Sequence, residues 1–518
     1  MLPALLFGQY GLRNSGNKEG NQDLLHWHNL DYSTNKVYGA SVNKCYAELI
    51  GDEKPKKKIV VAIIDSGVET DHVDLSGSIW TNTDEIAGNN KDDDNNGYVD
   101  DVHGWNFVVD EQNNDVQYDN FEATRILRLS KKLKEAEAAY PEWLTNDIIL
   151  RSIEIYNQNV EEYKSMAQFG QFFTTFDSAL TSLTGKENYS VDDVLAINTE
   201  DEDFEPIKDI FKAFKKVGIE VDDLREMAST SEKFANYYLN YDFDPRPGHE
   251  PGADGYGNNH YEGPDATHGT HVAGIVACNR NNDIGAIGIS SEVVEIMAVR
   301  AVPDGDERDT DVANAIRYAV DNGANIINMS FGKGVSPFKP LVDDAIAYAM
   351  EHNVLIVHGA GNDAENIDLV TNYPNPYLFD NGRAQNYITV GSITSSTKKD
   401  MVSSFSNYGK LTVDIFAPGS NIFSAVPDNG FKKLSGTSMA APVVSGVAAL
   451  IWAYHPELTA VEVKQILMES ATKPKRKKVL KPGGAEGKEK IRFSDLSSSG
   501  GIVNAYEAFK LADIKSSN

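Results

Sequence analysis

Residues 436–453, GTSMAAPVVSGVAALIWA, constrain this chain more than any other stretch. From Val443 onward they are apolar or small on every side of a helix, and a helix with no polar face is a buried one. Burying it takes a sheet, and the strands are at hand. Residues 293–302, 325–329, 354–357 and 387–393 are apolar and rich in β-branched side chains, while 310–322 (Val312, Ala315, Ile316, Ala319) and 338–352 carry helical spacing. Strands alternating with helices predict an α/β fold built on a doubly wound, mainly parallel sheet, with its site at the carboxyl ends of the strands.

Ser438 falls at the N-terminus of that buried helix, where unpaired backbone N–H groups and the helix dipole favour a developing negative charge. A nucleophilic serine needs a base and a group that orients the base. Residues 268–274, HGTHVAG, put His268 at the head of a second Gly/Ala-rich segment, and residues 59–67, IVVAIIDSG, put Asp65 at the end of a hydrophobic strand. The order Asp65, His268, Ser438 differs from the His-Asp-Ser and Ser-Asp-His orders of two other common serine hydrolase arrangements. Residues 354–362, VLIVHGAGN, run from a strand into a Gly-rich turn ending in Asn362, whose amide is a candidate donor to an oxyanion beside the Ser438 N–H. Taken singly, a serine at a helix start and an asparagine in a turn are ordinary structural residues. Four such contexts in one chain point to chemistry.

In this order, IIDSG, HGTHVAG, GAGN and GTSMAAP resemble the motifs of the subtilisin-like serine peptidases, or subtilases, and the likeness covers roughly residues 59–110 and 261–512. The resemblance implies a serine endopeptidase that hydrolyses protein or peptide substrates through an acyl-enzyme, with Asp65, His268, Ser438 and Asn362 as its machinery. It also implies that Ser330, Phe331 and Gly332 form a substrate-binding edge strand, and that with Gly359 and Ala360 they line the pocket for the residue before the scissile bond. Asp74 and the loop 279–286, with Asn282, match positions where subtilases hold a structural calcium. The stretch WTNTDEIAGNNKDDDNNGYVDDVHGWNF and the following FEATR resemble extracytoplasmic subtilases of the Bacteroidetes type. The competing class is a non-catalytic, peptide-binding homologue.

A second acidic loop, residues 92–101, reads DDDNNGYVDD. Asp92, Asp94 and Asn96 recur at spacing two before Gly97, with Asp100 beyond, a pattern that directs several oxygens inward as calcium requires. The same residues suit a plain Asp/Asn turn. Calcium is the expectation.

The chain has 77 acidic against 48 basic residues, a net charge of -29, which repels nucleic acid and anionic membranes; nucleic acid is not expected as a partner. Two cysteines exclude a disulfide framework and a Cys-based zinc site. No run is expected to reach the length of a membrane span. The start, MLPALLFGQ, reads either as the tail of a signal peptide or as an ordinary beginning. With calcium and the acidic surface, an extracytoplasmic setting is expected.

Asp65 and His268 lie 203 residues apart, far more than a strand-to-helix connection needs. Residues 118–245 are therefore expected to be an inserted helical subdomain, with one stripe at Ile126, Leu129, Leu133 and Ala136 and another at Ile207, Ile210, Phe214 and Val217. Residues 1–58 read as an N-terminal lead-in, and 59–117 with 246–518 as the peptidase-like domain.

Overall fold

The structure, a computed structural model, describes residues 24–198, 204–217, 221–247, 256–379, 382–484 and 489–516. The MLPALLFGQ start lies outside the described residues. Seven strands form one parallel sheet: β1 Ile59–Asp65, β2 Gly104–Asn106, β3 Val294–Arg300, β4 Ile326–Met329, β5 Leu355–Gly359, β6 Tyr387–Ile393 and β7 Ile415–Pro418. Their order across the sheet is β2-β3-β1-β4-β5-β6-β7. The chain builds to one side of β1 and then to the other, so the order reverses between β1 and β4. Ligand crevices in open α/β sheets form outside the strand ends at such a reversal. Asp65 is the last residue of β1, and Ile64 pairs with Met329, the last residue of β4.

The continuous apolar run of β1 follows from helices on both faces. Successive side chains alternate: Ile59, Val61 and Ile63 join a core with Val272, Val276 and Val447, while Ala62 and Ile64 join a second core with Val312, Ile316 and Ile346. The first core lies under the helices Thr267–Ala277 and Thr437–Tyr454, the second under Asp309–Asp321 and Lys339–Glu351. Every residue of Thr437–Tyr454 is buried except Ser438. Contrary to the sequence expectation, this helix is long and apolar enough to cross a membrane. Its apolar surface is instead covered by β4 to β7 and by the helices Thr267–Ala277 and Ala505–Ser516.

Residues of the lead-in, Trp27, Tyr38, Val42 and Cys45, join the first core, so the described part of the lead-in belongs to the sheet unit. A second compact unit, helical, runs from Ala123 to Phe243. The chain enters it at Ala123 rather than at 118 because 118–122 stay with the sheet unit, Tyr118 bridging to Asp304 and Glu122 pairing with Lys333. Its helices include Glu122–Glu135, Asn146–Thr184, Glu205–Val217 and Val221–Lys233. In the first stripe Ile126 is buried and Leu129 and Leu133 partly so, but Ala136 is exposed beyond the helix end. In Glu205–Val217 the buried positions are Phe211 and Phe214, with Ile207 and Ile210 partly buried.

Candidate active site

Asp65 Oδ1 accepts hydrogen bonds from His268 Nδ1 at 2.6 Å and from the Ser66 N–H at 2.8 Å. With Nδ1 committed as donor to a carboxylate, Nε2 of the neutral ring is the acceptor. That nitrogen has no partner among the described residues, and the imidazole is 39% exposed. Burial pulls the imidazolium down, but the Asp65 charge and hydrogen bond, with Asp265 behind them, more than offset it and hold the His268 pKa above its ordinary 6.5. The close approach needs Gly269: a Cβ there would lie 2.0 Å from the Gly67 carbonyl oxygen and 3.1 Å from Asp65 Cβ.

Ser438 lies in the first turn of the helix Thr437–Tyr454. Its hydroxyl donates to the Ser330 carbonyl at 3.1 Å, and the Ser330 hydroxyl donates to the Ser438 carbonyl at 3.0 Å. That carbonyl is available because its helical partner four residues on, Pro442, has no N–H. The proline of GTSMAAP thus lets the segment after β4 clasp the serine.

The Asn362 Oδ1 accepts from the Thr437 N–H at 2.8 Å and from the Thr437 hydroxyl at 3.1 Å. An N–H demands an acceptor, so the amide orientation is fixed and Nδ2 faces away from Thr437 as a donor. The point where Gly436 would carry a Cβ lies 3.5 Å from Ser438 N, 3.6 Å from Asn362 Nδ2 and 3.6 Å from Ser438 Cβ. The two nitrogens and the serine side chain therefore lie around one small volume. Gly359 permits this, since a Cβ there would press to 3.2 Å on three atoms of Thr437.

Ser330, Phe331 and Gly332 continue past β4 without a strand partner among the described residues. The N–H groups of Phe331 and Gly332 make no backbone hydrogen bond there, while the Phe331 carbonyl accepts from His358 Nε2 at 2.7 Å. Burial lowers His358 to about 4, so it is a neutral donor. Sequence reasoning missed Asn372, whose Nδ2 donates to the Ala360 carbonyl at 3.3 Å and would meet a Cβ on Gly332 at 3.1 Å. Gly332 and Ala360 thus meet across Asn372. A cavity of about 220 Å³ opens beside them, lined by His358, Ala360, Asn372, Thr389 and Leu411 among others.

A family model described as the subtilase family matches residues 56–485. The chain belongs to the subtilases. This subtilase is 37% identical over 216 residues to the cell wall-associated protease of Bacillus subtilis (strain 168), a match covering 42% of this chain and 22% of that protein. It is 36% identical over 207 residues to the thermophilic serine proteinase of Bacillus sp. (strain AK1), covering 40% and 47%. It is 40% identical over 185 residues to thermitase of Thermoactinomyces vulgaris, covering 36% and 60%. In each case the match spans less than two thirds of the relative.

The acidic residues of the subtilase divide. Ligand oxygens of Glu85, Asp92 and Asp94 come within 4.8 Å of one another, the sole such trio among the described residues. No ion pair among the described residues neutralises them. Glu85, buried and seven residues upstream of the loop, had no sequence signal beyond its charge. Asp100 is not in the trio; its two oxygens take the N–H groups of Asn89 and Asn90, just as the oxygens of Glu85, Asp92 and Asp94 take N–H groups of Asp93, Asn96, Gly97 and Asp100. Asn96 turns nitrogen, not oxygen, toward Asp94 and Asp101, since its Oδ1 holds the Tyr98 N–H. Asn282 also turns its nitrogen: its Oδ1 holds the Ile284 N–H, so Nδ2 faces Asp74 at 2.7 Å, and the other Asp74 oxygen takes the Ala286 N–H. Buried Asp74 is satisfied by protein donors and meets no oxygen ligand from Asn282.

Proposed function

We propose that this subtilase is a serine endopeptidase acting on protein or peptide substrates. The observations that carry the reading are the Asp65–His268 hydrogen bond and the placing of the partly buried Ser438, at the start of a buried helix, beside the Asn362 amide. In the mechanism, the Ser438 hydroxyl turns from the Ser330 carbonyl to His268 Nε2, gives up its proton there, and Oγ bonds the scissile carbonyl carbon. The oxyanion takes hydrogen bonds from Asn362 Nδ2 and the Ser438 N–H. His268 then passes the proton to the leaving nitrogen as the C–N bond breaks, and a water, deprotonated by His268, releases the acyl group. Asp65 fixes the tautomer of His268 and stabilises its cation. Phe331 and Gly332 offer N–H groups for pairing with an extended peptide, and the cavity beside Ala360 and Asn372 has room for a large side chain before the scissile bond.

The test is labelling with a fluorophosphonate probe. Wild type takes the probe on Ser438 and cleaves peptides, while Ser438→Ala and His268→Ala fold and lose nearly all turnover, because the groups act as a unit. A folded wild type that stays unlabelled would leave a peptide-binding protein instead.

We further propose that calcium binds at Glu85, Asp92 and Asp94. Three clustered carboxylates with no cationic partner fit a hard cation that takes oxygen ligands, and the bound ion would neutralise their mutual repulsion. Its role is structural. An extracytoplasmic setting accords with such a site, and a cell wall-associated protease is among the relatives.

A further inference from the structure

Lys333 is a buried cation that the reaction scheme does not use. Its side chain is 2% exposed, and its ammonium lies 2.8 Å from Glu122 Oε2, 2.8 Å from Asp309 Oδ1 and 2.7 Å from the Glu307 carbonyl. Asp309 is itself held in place by the Ser336 hydroxyl and the Phe338 N–H. An ammonium with three donors thereby meets three acceptors, two of them charged, one from Glu122 and two from the 307–309 stretch. A lysine buried at this expense marks a position where geometry is at stake.

The geometry at stake is that of the segment 330–333. At one end Ser330 clasps Ser438 through two hydrogen bonds. At the other, Lys333 exchanges two backbone hydrogen bonds of 2.9 Å with Tyr373, next to Asn372 on the pocket wall. Between them, Phe331 and Gly332 carry the unpaired N–H groups; Phe331 is held by its carbonyl contact to His358 and by its ring against the second core. Gly332, exposed and without a side chain, gives this stretch no anchor of its own.

We propose that Lys333 is a positioning residue for substrate: its ion pairs set the place of the Phe331–Gly332 edge against the Asn372–Tyr373 wall. This rests on the peptidase reading above. The predicted signature is selective, because an extended peptide uses the edge and a small fluorophosphonate that reaches only Ser438 does not.

The experiment measures, for wild type, Lys333→Met and Lys333→Arg, the kcat and KM on an extended chromogenic peptide and the second-order labelling rate by a simple alkyl fluorophosphonate. Absence of labelling in wild type would sink the peptidase reading itself. Given a labelled wild type, Lys333→Met should lose about tenfold to a hundredfold in kcat/KM, mainly through KM, the scale of a misplacement of about 1 Å, with labelling changed by no more than about twofold. Lys333→Arg should recover part of the peptide loss by keeping the charge. An equal loss in both assays, or no loss in either, would overturn the positioning role while leaving the peptidase standing. Should Lys333→Met fail to fold, Lys333→Arg decides alone: its longer, forked head changes the anchor geometry, so the peptide KM must rise more than labelling falls.

Discussion

Asn362 makes two sets of contacts, and replacing it separates them. Its Oδ1 holds the Thr437 N–H and hydroxyl at the buried start of the serine helix, while its Nδ2 faces the volume beside Ser438. Asn362→Ala removes both. Loss of an oxyanion donor lowers kcat by about a hundredfold to a thousandfold, or ~2.7–4 kcal/mol of transition-state stabilisation, a range borrowed from subtilisin. Loss of the acceptor leaves the Thr437 N–H without its partner at a residue only 2% exposed, which costs about 1–3 kcal/mol of stability. Asn362→Asp restores the acceptor, and its charge suits the helix N-terminus, yet it sets a negative group against the oxyanion. The expected pattern is therefore a low kcat with little change in KM for both variants, reduced thermal stability for the alanine, and stability closer to wild type for the aspartate. Steady-state kinetics on one peptide and calorimetry on the same preparations measure all four quantities. An alanine variant of unchanged kcat, or an aspartate variant less stable than the alanine, would refute the division of labour.

Because Asp65 raises the His268 pKa above 6.5, kcat/KM should climb through an ascending limb centred above 6.5, where the ring becomes the neutral base; a limb centred below that value would contradict the pairing. Stability should run the other way: the pair's contribution is fully present below the unfolded value near 6.5 and fades as pH rises through the folded pKa, so Asp65→Asn should cost more stability in acid than at alkaline pH, read as melting temperature against pH. Calcium should raise the melting temperature over EGTA by mass action, and Glu85→Gln with Asp92→Asn should abolish the difference. A shift that persists in that double variant would move the ion elsewhere. Gly269→Ala should damage activity beyond its effect on helix propensity, since the new Cβ strikes the Gly67 carbonyl and drives His268 from Asp65; wild-type turnover in that variant would dismiss the contact.

The strands and helices of the sheet unit were legible because their periodicities are strong: the 310–322 and 338–352 expectations became Asp309–Asp321 and Lys339–Glu351, and 387–393 matched β6 throughout. The carboxylate cluster was legible only in part. Spacing pointed to Asp92 and Asp94 but not to Glu85, which lies outside the 92–101 loop and meets them only through the fold of the chain. The helical insertion was visible as excess length. Its boundary was not, since contacts of 118–122 with distant residues, the Tyr118–Asp304 bridge and the Glu122–Lys333 ion pair among them, keep the chain with the sheet.

The sequence by itself determined the parallel α/β fold and the order of Asp65, His268, Asn362 and Ser438, because apolar period and Gly-rich turns are local properties written in consecutive residues. Only the tertiary structure decided that Pro442 frees the Ser438 carbonyl for Ser330, that Thr437 fixes the amide of Asn362, and that a lysine after β4 is buried among acids. Most of those contacts join residues 75 to 211 positions apart, and hydrogen-bond geometry at that range depends on where whole strands and helices come to rest.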